Sequence, residues 1–237
     1  MRNTENQSNG ADLQYIENLY QENLTMKSME QKNFWSLLQE ARDFSDQLNK
    51  TGISLGHTEG RLLSTLVALH GCEKFVEIGT LTGSSGLWIL QGLKKSGQLL
   101  TFENNPAHAE KAKIIFAKYH ELFPQKNQQT TVCLGNAEEE LLKISNQGPF
   151  DGIFIDGNKS AYGRYLDWAE KNIRAGGLII ADNVFLSGGV WGEHDHPFSD
   201  KQIQIMKDFN LRLADENKYQ TCFVPTSEGL SVSIKLF

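Results

Sequence analysis

From Phe34 to Leu48 the apolar side chains Phe34, Leu37, Leu38, Ala41, Phe44 and Leu48 recur at every third or fourth position, and the run stops at "NKTG". That spacing puts them on one face of a helix. A second helical run spans Thr58 to Leu69, with Thr58 as its expected N-cap and Gly71 just past its end. Beyond it the period changes. Short apolar runs, Lys74 to Ile78, Gln98 to Glu103, Thr130 to Leu134, Asp151 to Ile155 and Leu178 to Ala181, read as strands, and helical stretches open near Ser84, Pro106, Ala137 and Tyr162. This alternation predicts an α/β domain, a parallel sheet with helices on both faces. The two final apolar runs, "YQTCFVP" and "GLSVSIKLF", are joined by a short Thr-Ser-Glu turn without a helix, so they should pair antiparallel.

Residues 1–30 are polar, with Leu13, Ile16, Leu19 and Tyr20 at helical spacing, and predict a partly helical extension, a lid or an oligomer contact. Residues 31–237 then form a single domain. A chain of 237 residues, 39% of them hydrophobic, supplies one ample core better than two small ones. The opening "MRNTENQSNGADLQ" lacks the layout of a signal peptide, and no apolar run approaches membrane-spanning length. A net charge of -6 with scattered Lys and Arg disfavours a nucleic-acid partner. Cys72, Cys133 and Cys222 are far apart and odd in number, which fits a reducing cytoplasm rather than disulfides or a zinc knuckle.

The candidate chemistry gathers at strand ends, where an open parallel sheet binds its ligands. After the first strand, "FVEIGTLTGSSGLWIL" places Glu77 ahead of Gly79, Gly83 and Gly86. A dinucleotide loop, G-x-G-x-x-G, would need a second glycine where Leu81 stands. A cofactor without a pyrophosphate is therefore favoured, and S-adenosylmethionine (SAM) is the common one. Backbone groups of the loop, from Gly79 and Thr80 through Gly83 to Ser85, would hold its methionine end, with Glu77 ordering the loop or accepting from the amine. The same glycines would also serve a plain tight turn. Glu103 ends the second strand, the place of an acid that holds ribose hydroxyls; its plainer alternative is a helix cap before Pro106. Gly135, Asn136, Ala137 and Glu138 follow the third strand and would line the adenine.

Asp156 and Lys159 follow the fourth strand, and Asp182 and Asn183 the fifth. Neighbouring strand ends would bring Asp156, Asp182 and Asn183 together, and oxygen ligands without His or Cys select a hard cation such as magnesium. Alone, each Asp is as readily a turn former. His194, Asp195 and His196 lack further ligands at the usual spacing, so "WGEHDHPFSD" reads as a flap near the substrate. Trp191 and Tyr162 are candidates to stack on an aromatic substrate, whereas Tyr165 and Trp168 are assigned to the core.

Together, "VEIGTLTGSS", "TFENNP", "FIDGNKSAYGRY" and "GGLIIADNV" resemble the cation-dependent catechol and caffeoyl-CoA type O-methyltransferases. The resemblance implies a Rossmann-like SAM-dependent methyltransferase fold, a mostly parallel seven-stranded sheet with its last strand antiparallel. It implies SAM at Glu77, Gly79, Ser85, Glu103 and Ala137. Magnesium, or another hard divalent cation, would sit at Asp156, Asp182 and Asn183, with Asp156 shared between cofactor and metal. It further implies Lys159 as the catalytic base, a small hydroxylated aromatic acceptor and a homodimer. Ser84 stands where the family usually has an aromatic residue, and Asn158 where it commonly has an acid. A transfer-RNA hydroxyuridine methyltransferase of the same family and a catalytically silent SAM-binding protein remain open alternatives. An NAD-dependent dehydrogenase is opposed by the glycine spacing.

Overall fold

Seven strands form one sheet in the computed structural model, which describes residues 15, 16, 18–20, 28–226 and 228–237. They are β1 Lys74–Ile78, β2 Gln98–Glu103, β3 Gln129–Leu134, β4 Phe150–Ile155, β5 Ile173–Asp182, β6 Tyr219–Val224 and β7 Leu230–Lys235. Across the sheet they lie in the order β3-β2-β1-β4-β5-β7-β6. β1 to β5 are parallel, and β7 runs antiparallel to both β5 and β6. The order reverses at β1, which has β2 on one side and β4 on the other. Loops leaving the ends of β1 and β4 diverge there and open a cleft.

The helices are α1 Met29–Gln47, α2 His57–Leu69, α3 Ser84–Gly92, α4 Pro106–Leu122, α5 Ala137–Ile144, α6 Tyr162–Asn172 and α7 Asp200–Leu213. Ser28 starts α1 with a reciprocal cap: its hydroxyl accepts from the Gln31 N–H at 3.3 Å, and the Gln31 side chain accepts from the Ser28 N–H at 2.9 Å. Asn105 and Asn136 cap α4 and α5 without a reciprocal bond, their side-chain oxygens accepting from the Ala107 N–H at 2.9 Å and the Glu138 N–H at 3.1 Å. The start of α2 departs from expectation. Its N-cap is Gly56 and not Thr58, because the Glu59 carboxylate reaches back to the Gly56 N–H at 3.0 Å and begins the helix at His57. Gly71 follows α2 in the left-handed conformation, as its position predicts.

Apolar layers cover the sheet on both faces. On one, Phe34, Leu37 and Leu38 of α1 and Leu63 and Val67 of α2 pack with Phe75, Leu87 and Phe154. On the other, Val76, Ile78, Phe102 and Ile155 meet Leu141, Tyr162, Leu166 and Phe209. Strands buried on both faces carry near-continuous apolar runs, the pattern that marks β1, β2 and β4 in the sequence. β5 is longer than the expected Leu178 to Ala181. Ile173 pairs with Phe150 before the register slips to Gly152 opposite Leu178, and Gly176, at φ +71°, lies in the break. Among the described residues no helix is long and apolar enough to cross a membrane. Tyr15, Ile16, Leu19 and Tyr20 are helical, and the Arg61 guanidinium lies 3.8 Å from the Tyr20 ring centre. Leu13 of the expected extension, and Ser227 of the last turn, fall outside the described residues.

Candidate active site

The loop after β1 passes so close to the end of β4 that a Cβ on Gly79 would sit 2.0 Å from the Asp156 carbonyl oxygen, and Gly79 has φ +96°. Only glycine fits there. The Gly79 and Thr80 N–H groups both donate to the Phe102 carbonyl, at 3.0 and 3.2 Å, which fastens the loop to β2. Glu77 holds it from beneath. Fully buried, it accepts from the Ser85 hydroxyl at 2.5 Å and from the Thr101 hydroxyl at 2.6 Å. Thr101 Oγ1 lies in turn 2.5 Å from Thr80 Oγ1. Burial pushes the Glu77 carboxyl up to about 7, against the opposing pull of those two hydroxyls. The Thr82 hydroxyl donates to the Ala41 carbonyl at 2.7 Å and ties the loop to α1.

Glu103 stands at the end of β2, and both its oxygens accept backbone hydrogen bonds, from Leu81 at 2.8 Å and from Asn105 at 2.9 Å. His108 Nδ1 is 3.5 Å away. The carboxylate is thereby oriented toward a cleft of about 860 Å³ that runs along the strand ends. Gly79, Thr80, Ser85, Glu103, Gly135, Ala137 and Asp156 line this cleft, while Glu77 and Gly83 stand behind the lining and shape the loop. Ser84 also lines it, and its Oγ is buried without a protein partner. The first turn of α3 has no side-chain cap, since its N-cap is Gly83. Free N–H groups at a helix start together with an orphaned hydroxyl suit a carboxylate, and Glu103 suits a diol. The donor set therefore fits SAM.

At the far end of the cleft Lys159 Nζ lies 3.0 Å from Asp156 Oδ1, 2.6 Å from Asn183 Oδ1 and 2.8 Å from the Tyr162 hydroxyl. Asn158 presents the lysine: its side chain accepts from the Ser160 N–H at 3.1 Å and caps the short 3-10 turn Lys159–Ala161. Asp182 is buried, its Oδ1 accepts from the Asn183 N–H at 2.7 Å, and burial, followed by the charge of Asp156, pushes its carboxyl up to about 7. Asn183 takes φ +58°, a left-handed backbone that asparagine tolerates better than most residues. Among the described residues no group of three or more His, Cys, Asp or Glu could hold a metal. The set Asp156, Asp182 and Asn183 has two acids and an amide, all hard oxygen donors of the kind a magnesium ion takes; Asp156 and Asn183 already meet at a cationic nitrogen, and Asp182 stands next to Asn183 in the chain.

Tyr162 corrects an expectation. It is fully buried and donates to the Asp182 carbonyl at 2.8 Å, so it supports Lys159 and cannot stack on a substrate. Trp191 is exposed and stacks edge-on against Phe185. Tyr165 and Trp168 are in the core as expected, although Tyr165 also reaches the cleft lining. From the "WGEHDHPFSD" segment, Pro197 and Phe198 line the cleft, as do Ile53 and Leu55 of the segment before α2. Sequence reading missed Thr101, His108 and the supporting role of Tyr162. Thr101 had a signal, a lone polar residue inside the apolar run "QLLTFE".

The O-methyltransferase family model matches residues 27–236. A catechol O-methyltransferase from Niastella koreensis is 32% identical over 77% of this chain and 82% of its own length. Among solved structures, the O-methyltransferase from Bacillus cereus in complex with SAH has a TM-score of 0.73 at 29% identity, over 84% of this chain and 90% of that one. The O-methyltransferase TomG from Streptomyces achromogenes, involved in tomaymycin synthesis and solved in complex with SAM, has a TM-score of 0.74 at 27% identity, over 85% and 90% of the two chains.

Proposed function

The chain belongs to the O-methyltransferase family, and from that premise we propose a magnesium-dependent transfer of a methyl group from SAM to one hydroxyl of a small aromatic bearing two adjacent hydroxyls. The observation that carries the metal and the acceptor is the gathering of Asp156 and Asn183 within hydrogen-bond distance of Lys159 Nζ at the end of the cleft. The catechol O-methyltransferase from Niastella koreensis supports the choice of acceptor.

When bound, SAM supplies an electrophilic methyl on a sulfonium, and magnesium held by Asp156, Asp182 and Asn183 supplies positive charge that favours an ionised hydroxyl. The chain's own residues do the rest. The start of α3 and Ser84 receive the amino-acid end of the cofactor, and the Glu103 carboxylate receives its ribose. Lys159 Nζ, held beside the cation ligands by Tyr162, takes the proton of the acceptor hydroxyl when it stands as the neutral amine, and ends the step as the ammonium. Ile53, Leu55, Pro197 and Phe198 pack the aromatic ring and keep water from the line of attack. The methyl passes to oxygen, the sulfonium becomes a thioether, and alignment of the reacting atoms is the larger part of the protein's contribution.

Calorimetry tests this reading. SAM is titrated first and a simple catechol second, with and without magnesium, for the wild type and Asp182→Ala. Catechol should bind only to SAM-loaded protein in the presence of magnesium, and Asp182→Ala should abolish that binding while SAM still binds. Catechol binding that ignores magnesium would remove the metal from the mechanism.

A further inference from the structure

Lys159 commits its ammonium to three oxygens of the site: Asn183 Oδ1 at 2.6 Å, the Tyr162 hydroxyl at 2.8 Å and Asp156 Oδ1 at 3.0 Å. Two of the three are atoms assigned above to the divalent cation. Nor is this a solvated surface pair, since the Lys159 side chain is only 14% exposed and that of Asp156 27%. We propose that Lys159 is a place-holding cation: in the metal-free protein its ammonium gathers and neutralises the ligand oxygens, and a divalent ion binds only by taking Asp156 and Asn183 away from it. The inference rests on the magnesium reading of these residues.

Geometry makes the two cations competitors. A magnesium ligand bond is about 2.1 Å long. With the ammonium 2.6 Å from Asn183 Oδ1, an ion on that same oxygen could be no farther from it than the two lengths end to end, about 4.7 Å. At such a separation in a partly buried site the repulsion of like charges is weakly screened. The lysine has to withdraw. Tyr162 supplies the route, because it is the one partner that is no candidate ligand, and its hydroxyl is fixed by donating to the Asp182 carbonyl at 2.8 Å. A lysine that gives up Asp156 and Asn183 but keeps Tyr162 stays at the cleft wall.

The full chain, free of SAM, is titrated with Mn²⁺ alone by calorimetry, for the wild type, Lys159→Met and Lys159→Arg, with melting temperatures recorded before and after saturation. Methionine keeps the length of the stem and removes the charge; Lys159→Gln repeats the comparison if the methionine variant does not fold. The uncharged variant should bind Mn²⁺ roughly tenfold more tightly than the wild type, and Lys159→Arg should remain close to the wild type. Metal-free Lys159→Met should melt lower than the wild type, and saturation should raise it by more. Equal or weaker Mn²⁺ binding by the folded uncharged variants overturns the inference and leaves the magnesium reading standing. No measurable binding by any variant, the wild type included, overturns both.

Discussion

Glu77 carries a carboxyl into the interior of the sheet, where the hydroxyls of Ser85 and Thr101 are its hydrogen-bond partners. They satisfy it as an acceptor without neutralising its charge, so burial raises the carboxyl from its ordinary 4.5 to about 7. A raised acid contributes stability that is fully present below the unfolded value and lost as pH rises through the folded one. The loss therefore runs from about pH 4.5 to about pH 7. Glu77→Gln keeps the shape and removes the charge. Relative to the wild type, it should gain roughly 2–3 kcal/mol between about pH 5 and about pH 8, read from denaturant unfolding at each pH. A difference that stays constant across that range would remove burial as the cause.

At the scale of elements, the β1–α3 loop is held by connections that come from other parts of the chain: Phe102 and Thr101 of β2, Ala41 of α1 and the Asp156 end of β4. Gly79→Ala attacks this arrangement at its tightest approach. A methyl 2.0 Å from a carbonyl oxygen, on a backbone at φ +96°, should cost roughly 2–4 kcal/mol and weaken SAM binding more than tenfold, measured by melting and calorimetry. The elements themselves were largely legible. Short continuous apolar runs and period-3.6 runs are local, so β1 and β2 emerge with their observed bounds and Glu103 emerges at a strand end. What escaped is what needs register. Thr101 acts on Glu77 because β1 and β2 pair those two residues side by side, and no spacing within either run announces it. Tyr162 reads in the sequence as a candidate to stack on an aromatic substrate, and only the ends of β4 and β5, whose carbonyls its hydroxyl meets, place it in the interior. Thr58 is an acceptable cap residue by type, but Glu59 serves Gly56 instead, a choice between neighbouring starts that composition does not decide.

For the whole molecule, the two apolar layers and not the site hold the fold together, because the candidate ligands stand at the rim of a sheet whose faces are covered without them. Removing divalent ions with a chelator should accordingly abolish methyl transfer yet move the melting temperature of SAM-free protein by less than about 3 °C, as scanning calorimetry would show. A larger shift would make the cation a structural element. The position of β7 adds a further consequence. Seventh in chain order, it lies between β5 and β6, and its Leu230 pairs with Asp182. Until that distant segment arrives, β5 has an open edge at the very residues that lead into the site, and a contact so remote in sequence closes slowly. The carboxyl-terminal strand thus covers the edge that carries Asp182 into the proposed cation end of the cleft, while the strand ends assigned to SAM, those of β1, β2 and β3, lie on the other side of β4.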